Sequence, residues 1–277
     1  MPLALVLVLI VVGSVVFHFL SPWWMTPLAS NWGYIDSTII ITFIMTGAVF
    51  AAVILFVAYC LYRFRHVEGR KAAFEPENRR LEGWLTIVTA IGVMGLLTPG
   101  LFVWAQFVSV PPGTTEAEVV GRQWQWGFRL PGADGRLGST DARFVTDDNT
   151  FGINPDDPAG RDDILIDGDY LHLEQDKPVK MLLRALDTVH NFNVPEFRAK
   201  MDMIPGSVTY YWFTPTRTGQ FEVLCAELCG IGHPYMRGGV VVDSPEDYQT
   251  WLAQQTTFEQ QSAKAQDPET GTRLASR

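Results

Sequence analysis

No lysine or arginine occurs before Arg63, and the residues ahead of it are largely apolar, with Asp36 among the few exceptions. Three apolar segments stand out before residue 110: about Leu3–Leu20, about Ile35–Tyr62 and about Leu85–Val110. Crossing the hydrocarbon takes ~20 apolar residues, so the second and third are long enough and the first is borderline. A signal peptide is the competing reading of the first. It lacks a positively charged start and a well-defined cleavage site, Leu28-Ala29-Ser30 being the nearest, so a retained helix is expected. Residues 63–84 carry Arg63, Arg65, Arg70, Lys71, Arg79 and Arg80. The positive-inside rule places this loop in the cytoplasm and all residues after Val110 on the outer side. Trp23, Trp24 and Trp32 suit an outer aromatic belt, and helix packing explains them equally well. Glu82 stands where the third helix begins, which the helix dipole favours. A proton-feeding role is the alternative.

From residue 111 the texture changes. The formal net charge of the chain is −9, and all of the acidic excess lies here. An acidic face attracts basic partners and argues against nucleic-acid binding. Short β-rich runs alternate with turn signals at Glu118–Gly121, Gln123–Arg129, Ile164–Ile166, Tyr170–Leu173, Val179–Leu186, Ser207–Phe213, Gly219–Leu224 and Gly239–Val242. They predict a Greek-key β-sandwich over 111–245. Residues 246–277 read as a terminal helix, Pro245–Gln261, with a polar tail. Within the sandwich, 131–163 is rich in Gly, Pro and Asp. It reads as a solvated acidic loop, with a calcium site as the less favoured alternative because no EF-hand spacing is present.

The chemistry is concentrated in Cys225-Ala-Glu-Leu-Cys229-Gly-Ile-Gly-His233-Pro-Tyr-Met236. Thiolates, imidazole and thioether suit copper better than a hard cation. A Cys225–Cys229 disulfide is the bland alternative, but it leaves His233 and Met236 unexplained. Zinc is another, and Met236 argues against it. A mononuclear blue-copper site needs one cysteine, so two copper ions bridged by both thiolates is the economical solution. The further ligand is best sought in His190, which follows the run Val179–Leu186 in a strand-end loop. His172 lies among acidic and polar neighbours and reads as surface. In Gly121-Arg-Gln-Trp124-Gln-Trp126 two indoles fall on one face of a strand. Trp126 is assigned to the core and Trp124 to an exposed docking position for a redox partner.

Together these residues resemble subunit II of the haem–copper oxidases, the subunit with the binuclear copper A centre. The Cys-x-Glu-x-Cys-x3-His-x2-Met motif is complete, and both the Gly-x-Gln-Trp-x-Trp stretch and Lys200-Met-Asp202-Met-Ile-Pro205-Gly206 support it. The resemblance implies a cupredoxin sandwich anchored by two or three N-terminal membrane helices. It implies Cys225 and Cys229 bridging both coppers. His190 and Met236 would complete one copper, and His233 and the Glu227 main-chain carbonyl the other. It gives the Glu227 carboxylate to a magnesium ion shared with the catalytic subunit. Electrons would enter at Trp124. Asp187 would fall in the acidic rim facing cytochrome c, and Glu82 near the mouth of a proton channel. The implied partners are catalytic subunit I, subunit III, cytochrome c or a similar basic donor, and membrane lipid. The implied location is a bacterial cytoplasmic membrane, with the C-terminal domain on the periplasmic side. A copper A-containing nitric oxide reductase and a tethered copper-storage protein are the alternatives. The presence of three N-terminal apolar segments where the family usually has two, the Asp-rich insertion and Arg237 beside Met236 depart from the family pattern.

Overall fold

A computed structural model describes residues 2–21, 25–71, 74, 76–166 and 170–265. Trp23, Trp24 and the end of the polar tail lie outside them. The chain divides into two compact units, one of residues 1–26 and 33–104, the other of residues 27–32 and 105–277.

The N-terminal unit holds helices α1 (Pro2–Leu20) and α2 (Gly33–Arg63) and most of α3 (Arg79–Val108). All three are long and apolar enough to cross a membrane. Helix α1 packs along α2, burying Val11 and Ala58. Most other side chains on these helices are exposed, as expected of surfaces that face lipid or another subunit. The third helix starts at Arg79, earlier than the apolar run. Asn78 caps it by accepting from the Leu81 N–H (3.0 Å), so Glu82 falls within its first turn.

The C-terminal unit is a cupredoxin-like sandwich of two five-stranded sheets. Its strands are β1 (Thr115–Arg122), β2 (Gln125–Leu130), β3 (Ile164–Ile166), β4 (Tyr170–Glu174), β5 (Val179–Ala185), β6 (His190–Val194), β7 (Ala199–Met203), β8 (Thr209–Phe213), β9 (Gly219–Cys225) and β10 (Arg237–Asp243). The first sheet runs β3-β2-β1-β5-β8 and the second β4-β10-β9-β6-β7. Strand β5 buries Val179, Met181, Leu183 and Ala185 in strict alternation, the pattern of a strand with one face on the core.

Several expectations need correcting. His190 is not in a strand-end loop. It opens β6, which pairs with β7, and neither strand was among those predicted. Asn-Phe-Asn-Val followed by Pro195 is too short and polar to register as a strand. Trp124 is not on a strand but in the β1–β2 turn, so the two indoles do not share a strand face. Trp32 is buried in the C-terminal unit rather than serving an interfacial belt. It donates Nε1–H to the Trp212 carbonyl (2.9 Å), meets the Trp212 ring edge-on and lies tilted against Phe107. His172 is only partly exposed, pairing with Asp243 (2.6 Å) and stacking on Trp251. The terminal helix is two, α4 (Pro245–Leu252) and α5 (Phe258–Ala265). The break is a capping box, in which Thr257 Oγ1 accepts from Gln260 N–H and Gln260 Oε1 from Thr257 N–H.

The Asp-rich insertion is not simply solvated. Phe151 and Ile153 bury against Val120 on the outer face of the first sheet, with Leu165, Leu186 and Phe258 around them. Arg129, buried on β2, pairs with Glu118 (2.5 Å) and Asp163 (2.7 Å) and donates to the Gly138 carbonyl (3.0 Å). Arg184 pairs with the other oxygen of Glu118 (2.7 Å) and donates to the Phe151 carbonyl (3.0 Å). Two strand arginines therefore fasten the insertion to the sheet. Buried charges cost several kcal/mol each unless paired and hydrogen-bonded, and here every charge has an opposite partner. Burial pushes the Asp163 carboxyl up to about 6, although Arg129 and the Gly138 N–H act to lower it. A carboxyl raised in the folded state binds its proton more tightly than in the unfolded chain, so stability grows as pH falls from about 7 through 6. We predict that the thermal midpoint of the C-terminal unit rises between pH 7 and pH 5, and that Asp163→Asn flattens this rise. Equal pH slopes in the two proteins would refute the assignment.

Candidate metal centre

The site forms at one end of the sandwich. Strand β6 contributes His190, β9 ends in Cys225, and the loop to β10 carries Cys229, His233 and Met236. Phe192 on β6 lies opposite Cys225 on β9, so His190, two residues earlier on the same face, points at that cysteine. The loop is closed at its base by Cys225 N–H on the Met236 carbonyl (3.2 Å) and Ala226 N–H on the Asn191 carbonyl (3.2 Å).

Cys225 and Cys229 are free thiols, 3.7 Å apart, and not a disulfide. His190 Nδ1 lies 3.9 Å from Cys225 Sγ, and the Glu227 carbonyl oxygen 3.3 Å from it. On the other side His233 Nδ1 lies 3.6 Å and Met236 Sδ 3.8 Å from Cys229 Sγ. The ligand atoms of His190, Cys225 and Cys229 all fall within 4.8 Å of one another. His190, Cys229 and Met236 are almost fully buried, and Cys225 nearly so. The fold thus gathers all five side-chain donors and the one carbonyl. This soft, sulfur-rich donor set fits a copper centre.

The surroundings orient these groups. Asp187 Oδ1 lies 2.8 Å from His190 Nε2, which leaves Nδ1 facing the Cys225 thiol. Its other oxygen accepts from Gln123 N–H (2.6 Å). Burial alone would push this carboxyl up, but the Gln123 N–H, His190 and the Thr188 N–H together hold it below its ordinary value. Asp187, expected on an acidic rim, thus also turns its carboxylate onto the His190 ring. Trp126 meets His190 and Phe192 edge-on at 6.3 and 5.5 Å, walling the site. Gly121 makes room, since a Cβ there would come within 3.2 Å of the His190 ring.

Trp124 is 39% exposed and donates Nε1–H to the Cys229 carbonyl at 3.3 Å. The Gln123 amide donates to the same oxygen at 2.8 Å. The link from Gln123 to a cysteine ligand is absent from the sequence reading, although Gln123 belongs to the motif that located Trp124. Glu227 presents its carboxylate to solvent. Arg237, flagged as a cation beside the site, is exposed and paired with Glu222 (2.6 Å). Glu82 belongs to the N-terminal unit.

These features define a membrane-anchored, cupredoxin-like subunit with a soft-metal site. A family model for the cytochrome c oxidase subunit II periplasmic domain matches residues 116–244. Alternative cytochrome c oxidase subunit 2 of Bradyrhizobium diazoefficiens is 60% identical over 93% of each chain. Cytochrome c oxidase subunit 2 of Cereibacter sphaeroides is 31% identical over 83% of this chain and 77% of that one. The crystal structure of the periplasmic domain of subunit II of a Bradyrhizobium japonicum cytochrome oxidase has a TM-score of 0.39 and 23% identity, covering 52% of this chain and 95% of that one. The chain belongs to the cytochrome c oxidase subunit 2 family, and so is a component of a haem–copper oxidase complex that has a catalytic subunit.

Burial, and then the Cys225 thiol beside it, push the Cys229 thiol up to about 11. Without metal the Cys229 thiol is therefore held protonated, and a metal must expel that proton to bind the thiolate. Loading the metal-free protein with copper in weak buffer should release protons, that of Cys229 among them. A pH-indicator dye reads this, and copper uptake without proton release would mean that the thiols are not ligands.

Proposed function

We propose that the C-terminal domain accepts electrons from cytochrome c or a similar basic donor and passes them to haem in the catalytic subunit, where O2 is reduced. The observation that carries this reading is the pair of buried free thiols, flanked on either side by an imidazole, with a thioether and a main-chain carbonyl turned inward. A thiolate-bridged copper pair, when bound, supplies a one-electron carrier whose geometry changes little. Cys225, Cys229, His190, His233, Met236 and the Glu227 carbonyl would hold the pair. Trp126 and Phe192 keep water from the sulfurs, while Asp187 fixes the His190 ring.

Trp124 is the proposed point of electron acceptance, because one hydrogen bond joins its exposed indole to the backbone of a cysteine ligand. The inward bonds of Asp187 favour orientation of His190 over donor docking as its main task. The Glu227 carboxylate is free to join a magnesium ion shared with the catalytic subunit, since one carboxylate cannot hold magnesium without other ligands. Glu82, at the start of α3, is proposed to lie near a proton-channel mouth. Subunit III, membrane lipid and a bacterial cytoplasmic membrane, with the sandwich outside, complete the proposal. The relatives are named as cytochrome c oxidase subunits and give the nitric oxide reductase alternative no support.

Two variants test this. Cys225→Ser should abolish the seven-line EPR pattern of a mixed-valence copper pair, because one thiolate cannot both bridge and charge-balance two coppers. An unchanged pattern would sink the copper assignment. Trp124→Gln should leave that pattern intact and slow oxidation of reduced cytochrome c by about tenfold or more. Normal oxidation by this variant would remove Trp124 from the path.

A further inference from the structure

Gln123 has two attachments that no metal-binding role requires. Its backbone N–H donates to Asp187 Oδ2 at 2.6 Å, and its side-chain amide donates to the Cys229 carbonyl at 2.8 Å. The other oxygen of Asp187 holds His190 at 2.8 Å. The chain His190–Asp187–Gln123–Cys229 thus brackets the thiol pair from one flank to the other. A carbonyl oxygen has two lone pairs, and both at Cys229 are taken by consecutive residues, Gln123 and Trp124.

The Trp124 bond is the weaker of the two, at 3.3 Å against 2.8 Å. The indole is held otherwise by contact with the loop backbone. A Cβ on Gly232 would lie 2.3 Å from Trp124 Cδ2, and one on Gly230 would lie 3.0 Å from Gln123 Nε2. The Gln123-Trp124 turn therefore lies flush on Gly230 and Gly232. Gly230 also has a φ of +118°, a conformation that side chains resist. A half-exposed indole on a turn has few other restraints.

We propose that Gln123 is a positioning residue: by pinning its turn to Asp187 and to the Cys229 carbonyl, it holds the Trp124 indole in contact with the loop that carries the cysteines. The proposal rests on the reading of Trp124 as the electron acceptor. Gln123 then acts on the transfer step through Trp124, not on donor binding and not on the metal ligands. Glutamine fits because its amide donates at the right reach. An isosteric glutamate would offer only acceptors to a carbonyl oxygen.

The test uses the assembled oxidase with Gln123→Ala and Gln123→Glu. Both should keep the wild-type EPR pattern and copper potential, hold KM for cytochrome c within about twofold, and slow electron transfer about tenfold. A second readout needs no metal. In the metal-free chain labelled with 5-fluorotryptophan, the Trp124 resonance, identified by its loss in Trp124→Phe, should shift or broaden in both variants. An unchanged resonance with an unchanged rate overturns the proposal. So does a docking pattern, in which Ala raises KM, Glu lowers it through attraction of a basic donor, and kcat is constant. If Trp124→Gln also transfers electrons normally, the reading of Trp124 fails and takes the proposal with it. Slow transfer in Trp124→Gln beside normal transfer in both Gln123 variants overturns the proposal alone.

Discussion

Packing two thiols, an imidazole and a thioether side by side depends first on satisfying the backbone of the loop that presents them. An unpaired buried N–H or C=O costs about as much as a hydrogen bond lost outright. The loop from Cys225 to Met236 meets this demand within itself and from β6. Cys225 N–H reaches Met236, Ala226 N–H reaches Asn191, His233 N–H reaches Gly230, and Tyr235 N–H reaches Gly232. Two carbonyls then have distinct uses. That of Glu227 faces the Cys225 thiol, and that of Cys229 faces outward to Gln123 and Trp124. One loop so has an inner, ligand-bearing side and an outer side that reaches the surface.

Much of the site was legible because its donors are a dense local cluster of rare residue types. Cys225, Cys229, His233 and Met236 needed only their spacing. His190 was found by elimination among five histidines, but its setting was misread, since a short polar strand followed by proline leaves no periodic signal. What one chain cannot show is the orientation of a side chain with two plausible directions. Asp187 reads in the sequence as surface charge, and its contact with the His190 ring is visible only in the fold. The split of the terminal helix was different, because Thr257 and Gln260 already spell a capping box.

The insertion shows how composition misleads. Clustered aspartates between glycines and prolines imply solvent, and several do serve short local turns. Asp141 and Asp157 accept backbone N–H groups in this way. The buried Asp163 is matched by Arg129 on β2, 34 residues before it, and Arg184 on β5 reaches the Phe151 carbonyl. Strand β1 records the consequence. Glu118 and Val120 would be its solvent-facing residues, yet both are buried because the insertion covers that face. A strand buried on both faces loses the alternation that identifies a one-sided sheet.

The two sheets divide the work at the site. Every proposed metal donor comes from the second sheet or its β9–β10 loop, whereas Gly121, Gln123 and Trp124 come from β1 and its turn in the first. The contact between the sheets at this end is therefore also the contact between the surface indole and the ligands. Its polar part runs through Asp187, which accepts from His190 of one sheet and Gln123 of the other, and through the Cys229 carbonyl, which accepts from Gln123 and Trp124. Its apolar part is Trp126, from the first sheet, edge-on to His190 and Phe192 of the second. Packed sheets of this kind resist small displacements. A surface indole tied to one sheet and a metal tied to the other can thus keep a fixed separation without any covalent link, which a long flexible loop could not provide.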